Sequence, residues 1–375
     1  MVIGIDVRLW SQTGVGRYIR NLVLNLQKID KTNDYVLFAR KEDFEAIQNL
    51  GFIIQESKWK IVETDIKWHS VSEQIRFASI LEKAKLDIVH FPYFSVPIFY
   101  NRPFVVTIHD LIINHFPTGK ASTLAFPIYK MKLFAYRVII KKAAQKAKKI
   151  ITVSNATKEE ILDHLRVDKD KVVVVYNGVD EGISNEEQNT KYKLQNTKYF
   201  LYVGNAYPHK NLERLLLAFS ELLKENKNVK LVLVGREDYF YNKLKDKLKN
   251  MNLKNSIIFY QEINDKELVN LYKNALALVM PSLMEGFGLP VAEAMTNGCP
   301  VLASEIPSLK EIAKEAAAYF NPQNVEDMAK ALGLMINDEG LRSEMIKKGY
   351  ERVKIFSWEK SAKETLKVYE SCFSL

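Results

Sequence analysis

Short apolar runs alternate with longer stretches whose apolar residues recur every three or four positions. The short runs read as strands buried on both faces, the longer ones as helices with one apolar side. In the first half the pattern predicts strands at Val2–Val7, Tyr35–Ala39, Ile61–Glu63, Asp87–Phe91, Phe104–Ile108, Ile150–Val153 and Val172–Tyr176. Helices are expected at Gly16–Gln27, Val71–Ala84, Phe126–Lys148 and Lys158–Leu165. This alternation predicts α/β architecture: a mostly parallel sheet with helices on both faces. The segment 185–198, NEEQNTKYKLQNTK, has one apolar aliphatic residue and reads as a surface linker. Beyond it the alternation resumes. Strands are expected at Tyr199–Val203, Lys230–Val234, Ser256–Tyr260, Ala275–Met280, Pro300–Ala303 and Ala317–Phe320. Helices are expected at Asn211–Lys224, Tyr241–Met251, Lys266–Lys273, Pro290–Asn297, Val325–Ile336 and Leu341–Val353. The reading is therefore two doubly wound domains, 1–184 and 199–356, facing a central cleft. Ligands of open α/β sheets bind at the carboxyl ends of the strands.

Composition narrows the class. A chain of 375 residues, 47% hydrophobic, exceeds what one core usually holds and favours two. No apolar run approaches the ~18–20 residues of a membrane helix. The start, MVIGIDVRLW, reads as a strand and lacks the marks of a signal peptide. Two cysteines, Cys299 and Cys372, lie far apart without metal spacing, so a reduced cytoplasmic protein with no bound metal is expected. The net charge of +9 is concentrated: from Leu111 to Lys158 there is no Asp or Glu, against ten Lys and Arg. Within that run, 127–149 mixes Ile128, Met131, Leu133, Phe134 and Val138 with lysines at amphipathic spacing. Two readings stand for it: a face resting on an anionic cytoplasmic membrane, or a solvated helix face over the core.

Chemistry concentrates at 281–307, PSLMEGFGLPVAEAMTNGCPVLASEIP, which follows a strand. Pro290 suits a first helical turn, placing Glu293 about one turn inside and Glu285 in the loop before it. Gly286 and Gly288 allow close backbone approach, and a helix start offers N–H groups to phosphate. A plain strand–loop–helix unit explains the same residues. Lys210, in GNAYPHKN after another strand, sits at an expected helix start, where the dipole disfavours a cation unless an anion binds there. Gly14 and Gly16 in TGVGRY suit a tight strand-to-helix turn. His109 and Asp110 follow a strand; an imidazole there can donate to a sugar hydroxyl, with Asp110 as its orienter. Ser154 is a good N-cap, and Asn177-Gly178 a turn. Arg236, Glu262 and Ile263 follow strands as plausible walls for a base.

Taken in order, TGVGRY, TIHD, ITVSNAT, VYNGVD, YVGNAYPHKN, LVLVG and EGFGLPVAEAM resemble the retaining GT-B-fold glycosyltransferases of family four, over nearly the whole chain. The last piece fits that family's E-x7-E motif, with Glu285 first and Glu293 second. The resemblance implies that a nucleotide-diphosphate sugar gives its hexose, with retention, to a hydroxyl of a glycan or lipid-linked acceptor. It implies an acceptor-binding first domain, a donor-binding second domain, and a last helix, 357–375, that crosses back to the first. Glu293 would hold the ribose hydroxyls, Glu285 the donor sugar, and Lys210 the departing diphosphate. Gly286, Phe287, Gly288 and Leu289 would offer N–H groups. Gly204, Asn205 and His209 would join the donor site, and Gly16 would approach the diphosphate. His109 would touch the transferred sugar, and Arg17 and Asp110 would face the acceptor. No cofactor is implied. The family often has an arginine where this chain has Asn205, so a second positive charge must come from His209, Arg236 or Arg17. The PHKN form resembles branches that use GDP-mannose. A related nucleotide-sugar epimerase or hydrolase is the near rival. A non-catalytic nucleic-acid-binding protein suits the charge but leaves Glu285, Glu293 and Lys210 unexplained, so no nucleic acid is expected.

Overall fold

The structure, a computed structural model, describes residues 1–49, 58–117, 126–180, 194, 197–249, 251, 253–261 and 263–373. Most of the expected linker, and Glu262, therefore lie outside the described residues. The chain divides into two units. The first takes Met1–Leu111, Leu124–Gly178 and Ser357–Leu375; the second takes Ile112–Thr123 and Val179–Phe356.

The first unit holds seven parallel strands: β1 (Val2–Asp6), β2 (Asp34–Ala39), β3 (Trp59–Glu63), β4 (Ile88–Phe91), β5 (Phe104–Ile108), β6 (Lys149–Thr152) and β7 (Val172–Val174). Their order, β3-β2-β1-β4-β5-β6-β7, reverses between β1 and β4. β4 and β5 are buried at every position, as unbroken apolar runs require when helices cover both faces. The helices are α1 (Gly14–Ile29), α2 (Lys41–Gln48), α3 (Ala78–Lys83), α5 (Phe126–Lys146) and α6 (Asn155–Leu165), with α4 (Ile112–His115) assigned to the second unit. Ser154 caps α6, its side chain accepting from the Thr157 N–H at 3.1 Å. The helix expected over 71–84 instead opens on a π-turn at Glu73–Phe77. That turn carries the fully buried Glu73 to the Arg8 guanidinium, 2.7 Å away. The last helix of the chain, Trp358–Ser371, packs against α1, and its Tyr369 hydroxyl meets His90 Nδ1 at 2.7 Å.

The second unit holds β8 (Tyr199–Val203), β9 (Lys230–Val234), β10 (Ile257–Tyr260), β11 (Ala277–Met280), β12 (Val301–Ser304) and β13 (Ala317–Phe320), all parallel. Their order is β10-β9-β8-β11-β12-β13, reversing between β8 and β11. Around it lie α7 (Leu212–Leu223), α8 (Tyr239–Leu248), α9 (Asp265–Asn274), α10 (Leu289–Thr296), α11 (Pro307–Ala313), α12 (Val325–Asn337) and α13 (Glu339–Val353). Leu215, Phe219, Leu231, Val279, Leu302 and Met328 meet in one core beneath the sheet.

Candidate functional site

In the second unit the loops leaving β8 and β11 emerge side by side, because the strand order reverses there. Lys210 and Glu285 ride on these two loops. Lys210 Nζ donates to Glu285 Oε1 at 2.6 Å, and Ser282 Oγ donates to the same oxygen at 2.6 Å. Both charged side chains are largely buried, 15% and 8% exposed. Burial alone pushes the Glu285 carboxyl up, but Lys210, with Ser282 and His209, outweighs it and holds the group below the usual carboxylate range. Lys210 does not open a helix, as its sequence suggested. It ends the 3-10 turn Pro208–Lys210, and Asn211, in the left-handed region at φ 60°, separates it from α7. Asn211 is a residue that sequence reasoning missed. Its side chain donates to the carbonyls of Pro281 (3.0 Å) and Pro322 (2.7 Å), pinning the lysine turn to the loops after β11 and β13. Asparagine tolerates the left-handed region and hydrogen-bonds nearby backbone, which was the available signal.

The glycines after Glu285 divide their tasks. Gly288 is the N-cap of α10 at φ +86°, and a Cβ there would lie 2.6 Å from Leu309 Cδ2. Phe287 is buried edge-on to Phe356, 5.4 Å between centroids, so its side chain anchors the loop. Leu289, not Pro290, begins α10. Glu293, 8% exposed within α10, accepts from the Tyr272 hydroxyl of α9 at 2.9 Å. Tyr272 is a second residue the sequence did not single out. Gly204 closes β8 at φ +152°, with the Tyr202 hydroxyl 2.8 Å from where a Cβ would stand. Asn205 and Arg236 are exposed just past β8 and β9, and Ile263 is half-buried past β10. His209 is not the missing positive charge. Burial, then Lys210, drive its pKa down to about 4, against a smaller upward pull from Glu285, so it is neutral at pH 7.

Gly16, Arg17, His109 and Asp110 belong to the first unit. Gly16 is buried inside α1, not before it; a Cβ would stand 2.5 Å from the Trp10 carbonyl and 2.8 Å from that of Leu9. The close approach there is made by the chain itself. Arg17 sits beside it in the same helix, half-buried. His109 does not donate as expected. Burial drives its pKa to about 4, and its Nε2 is engaged with the Pro92 carbonyl at 2.9 Å. A carbonyl can only accept, so Nε2 carries the proton and Nδ1 is an acceptor. Pro92, not Asp110, orients the ring, with Tyr18 edge-on at 4.9 Å.

A largely buried lysine–carboxylate pair at a sheet reversal, beside a glycine-capped helix start, can receive an anionic group and present a carboxylate to hydroxyls. Residues 12–182 match the family described as Glycosyltransferase Family 4, and residues 184–352 match Glycosyl transferases group 1. The O-antigen chain mannosyltransferase RfbU of Salmonella typhimurium is 25% identical over 88% of this chain and 90% of its own. The O-antigen chain mannosyltransferase B of Escherichia coli is 26% identical over 96% of each. Sucrose-phosphate synthase from Thermosynechococcus elongatus shares the fold, with a TM-score of 0.79 at 20% identity over 100% of this chain and 99% of that one.

Proposed function

Since the chain belongs to the GT-B glycosyltransferases of family four, we propose that this transferase moves mannose, with retention, from GDP-mannose to a hydroxyl of a glycan or lipid-linked acceptor. The observation that carries the reading is the Lys210–Glu285 pair at the reversal of the second sheet. The two O-antigen mannosyltransferase relatives support mannose as the sugar. Glu293 binds the ribose hydroxyls in this reading, held ready by Tyr272. Gly204, Asn205 and the N–H groups of 286–289 line the diphosphate, and Ile263 the base. Arg236, exposed just past β9, the neighbour of β8, supplies the second positive charge that Asn205 does not. Lys210 and the amide donors stabilise the charge that builds on the departing GDP, so the step requires no metal ion. The acceptor oxygen bonds to the anomeric carbon on the leaving-group face as the C–O bond to GDP breaks. Its proton passes to a phosphate oxygen. Within the first unit, His109 is read as accepting from a sugar hydroxyl through Nδ1.

A thermal-shift series with GDP, UDP and ADP tests the donor, because a ligand stabilises by mass action. GDP is expected to raise Tm most, and Glu293→Gln to weaken GDP by about 10- to 100-fold, the worth of a charge-assisted hydrogen bond. If no nucleotide shifts Tm, the reading fails.

We further propose that the enzyme works at the cytoplasmic face of an anionic membrane. Ile128, Met131 and Phe134 of α5 are 44%, 65% and 70% exposed, three residues apart on one outward face. The opposite face buries Tyr136, Ile140, Ala143 and Ala144 in the core. Exposed apolar side chains among Lys130, Lys132, Lys141 and Lys142 suit an interfacial helix better than a solvated one. Among the described residues no helix is long and apolar enough to cross a membrane. The protein is expected to float with phosphatidylglycerol vesicles at low salt, and Met131→Glu/Phe134→Glu to stay at the bottom. Failure of the parent protein to float removes the proposal.

A further inference from the structure

Three hydrogen bonds hold the side chain of Asn211, 5% exposed at the start of α7. Its amide nitrogen carries two N–H groups, one for the Pro281 carbonyl at 3.0 Å and one for that of Pro322 at 2.7 Å. Its oxygen accepts from Arg214 Nη1, in the first turn of α7, at 2.9 Å. An amide so placed does not turn over. Rotation would set its oxygen against two carbonyl oxygens, and its N–H groups against a guanidinium that can only donate. The acceptors are themselves steady, since a proline ring locks φ at each of them.

What adjoins these bonds connects them to Lys210. Pro281 directly follows β11 and begins the loop that carries Glu285. The next residue, Ser282, donates to the same Glu285 oxygen that Lys210 meets. On the other side of the lysine, the Leu283 N–H donates to the His209 carbonyl at 2.8 Å. His209 and Asn211 are thus both fastened to the segment 281–283, and the backbone of Lys210 is held between the two fastenings. A lysine stem is flexible and has no direction of its own. Where its ammonium stands depends on where its backbone starts and on Glu285 at the far end. Glycine would meet the left-handed φ of 60° without strain but would supply neither bond. We infer that Asn211, oriented by Arg214, is a positioning residue for the transfer: it sets where the Lys210 ammonium stands and acts on the reaction only through that lysine. This rests on the role read for Lys210 for its effect on rate, not for its geometry.

A double-mutant cycle separates positioning from a plain structural role. Asn211→Gly is expected to lower kcat for GDP release from GDP-mannose by about 10- to 100-fold, the scale set by a displacement of ~1 Å. KM is expected to change by less than about twofold, because the ammonium acts on charge that builds only as the bond breaks. In a Lys210→Ala background the same substitution is expected to cost less than about twofold, since no ammonium is left to place. Asn211→Asp, nearer in size, is expected to be slower than Asn211→Gly at pH 8, because it turns a carboxylate toward two carbonyl oxygens. Lost volume alone predicts the reverse order. Arg214→Met, which leaves the amide oxygen unheld, is expected to cost about threefold. Crystal structures of the parent protein and of Asn211→Gly read the geometry without turnover, and the ammonium is expected to stand ~1 Å or more from its parent position. A kcat for Asn211→Gly within about twofold of the parent, losses that simply multiply in the cycle, or an ammonium in the same place in both crystals overturns the positioning role. A displaced ammonium with no GDP release by the parent protein keeps that role and defeats the donor reading instead.

Discussion

Lys210→Ala is expected to lower kcat by about 10²–10³-fold, the usual cost of removing one preorganised electrostatic donor. The loss should fall on kcat and kcat/KM together. The charge Lys210 meets grows only as the bond to GDP breaks, and an interaction of that kind lowers the barrier rather than tightening the ground state. The pH profile carries the sharper signature. In the parent protein Lys210 overrides the burial that would raise the Glu285 carboxyl, and keeps it ionised from pH 5 to 8. Without the ammonium 2.6 Å away, burial prevails and the carboxyl moves up. Residual turnover should then rise with pH through a range where the parent profile is flat in this group. Lys210→Arg should not restore the rate, because a planar fork does not replace a compact ammonium between two loops. Initial rates with GDP-mannose from pH 5 to 8 give both readouts. Turnover within threefold of the parent would falsify the role given to Lys210.

How far this site could be read beforehand depends on the range of the forces that build it. β11, buried at all four positions, was visible because four apolar residues in a row between helical segments leave little choice but a covered strand. α2, KEDFEAIQ, was not, since only Asp43 and Ile47 of it are buried and no apolar period shows. Glu285 and Lys210 were each identifiable as following a strand. That they touch, 75 residues apart in sequence, follows from the adjacency of β8 and β11, which no local pattern encodes. His109 was misread as a donor to ligand for the same reason: the carbonyl that accepts its N–H is that of Pro92, at the end of the neighbouring strand β4. His209, one of three candidates for the second positive charge, drops out because burial and Lys210 act on it together, and burial is a tertiary property. The outward Ile128, Met131 and Phe134 show the converse case. Their spacing implied a helix, but which of its two apolar faces meets the core is decided by packing alone.

Stability should be most sensitive at the reversal of the first sheet. Arg8, 2% exposed, donates to Asp6 at 2.8 and 2.7 Å and to Glu73 at 2.7 Å, and its guanidinium stacks 3.7 Å from the Phe77 ring. Glu73 also accepts from Ser95 Oγ at 2.7 Å and from the His69 N–H at 2.9 Å. Removing one partner of a buried ion pair costs ~3–5 kcal/mol, because the other is left charged and dry. Arg8→Met, which keeps most of the apolar volume, is expected to lose about that much in urea unfolding. Its pH dependence follows from Glu73. Burial already raises that carboxyl, with Arg8 pulling against it. Without Arg8 the folded-state pKa climbs further above its unfolded value, so the folded state binds the proton more tightly. Stability then falls as pH rises past the unfolded pKa, and the deficit should be larger at pH 8 than at pH 5. Adding Glu73→Gln removes the titrating group while leaving an acceptor for Ser95 and His69. The double variant should therefore regain part of the loss and show no excess pH dependence. A single variant within ~1 kcal/mol of the parent at pH 8 would mean that Arg8 offsets little there. The π-turn at Glu73–Phe77 would then need another cause, since on the present account it forms to deliver Glu73 to that guanidinium.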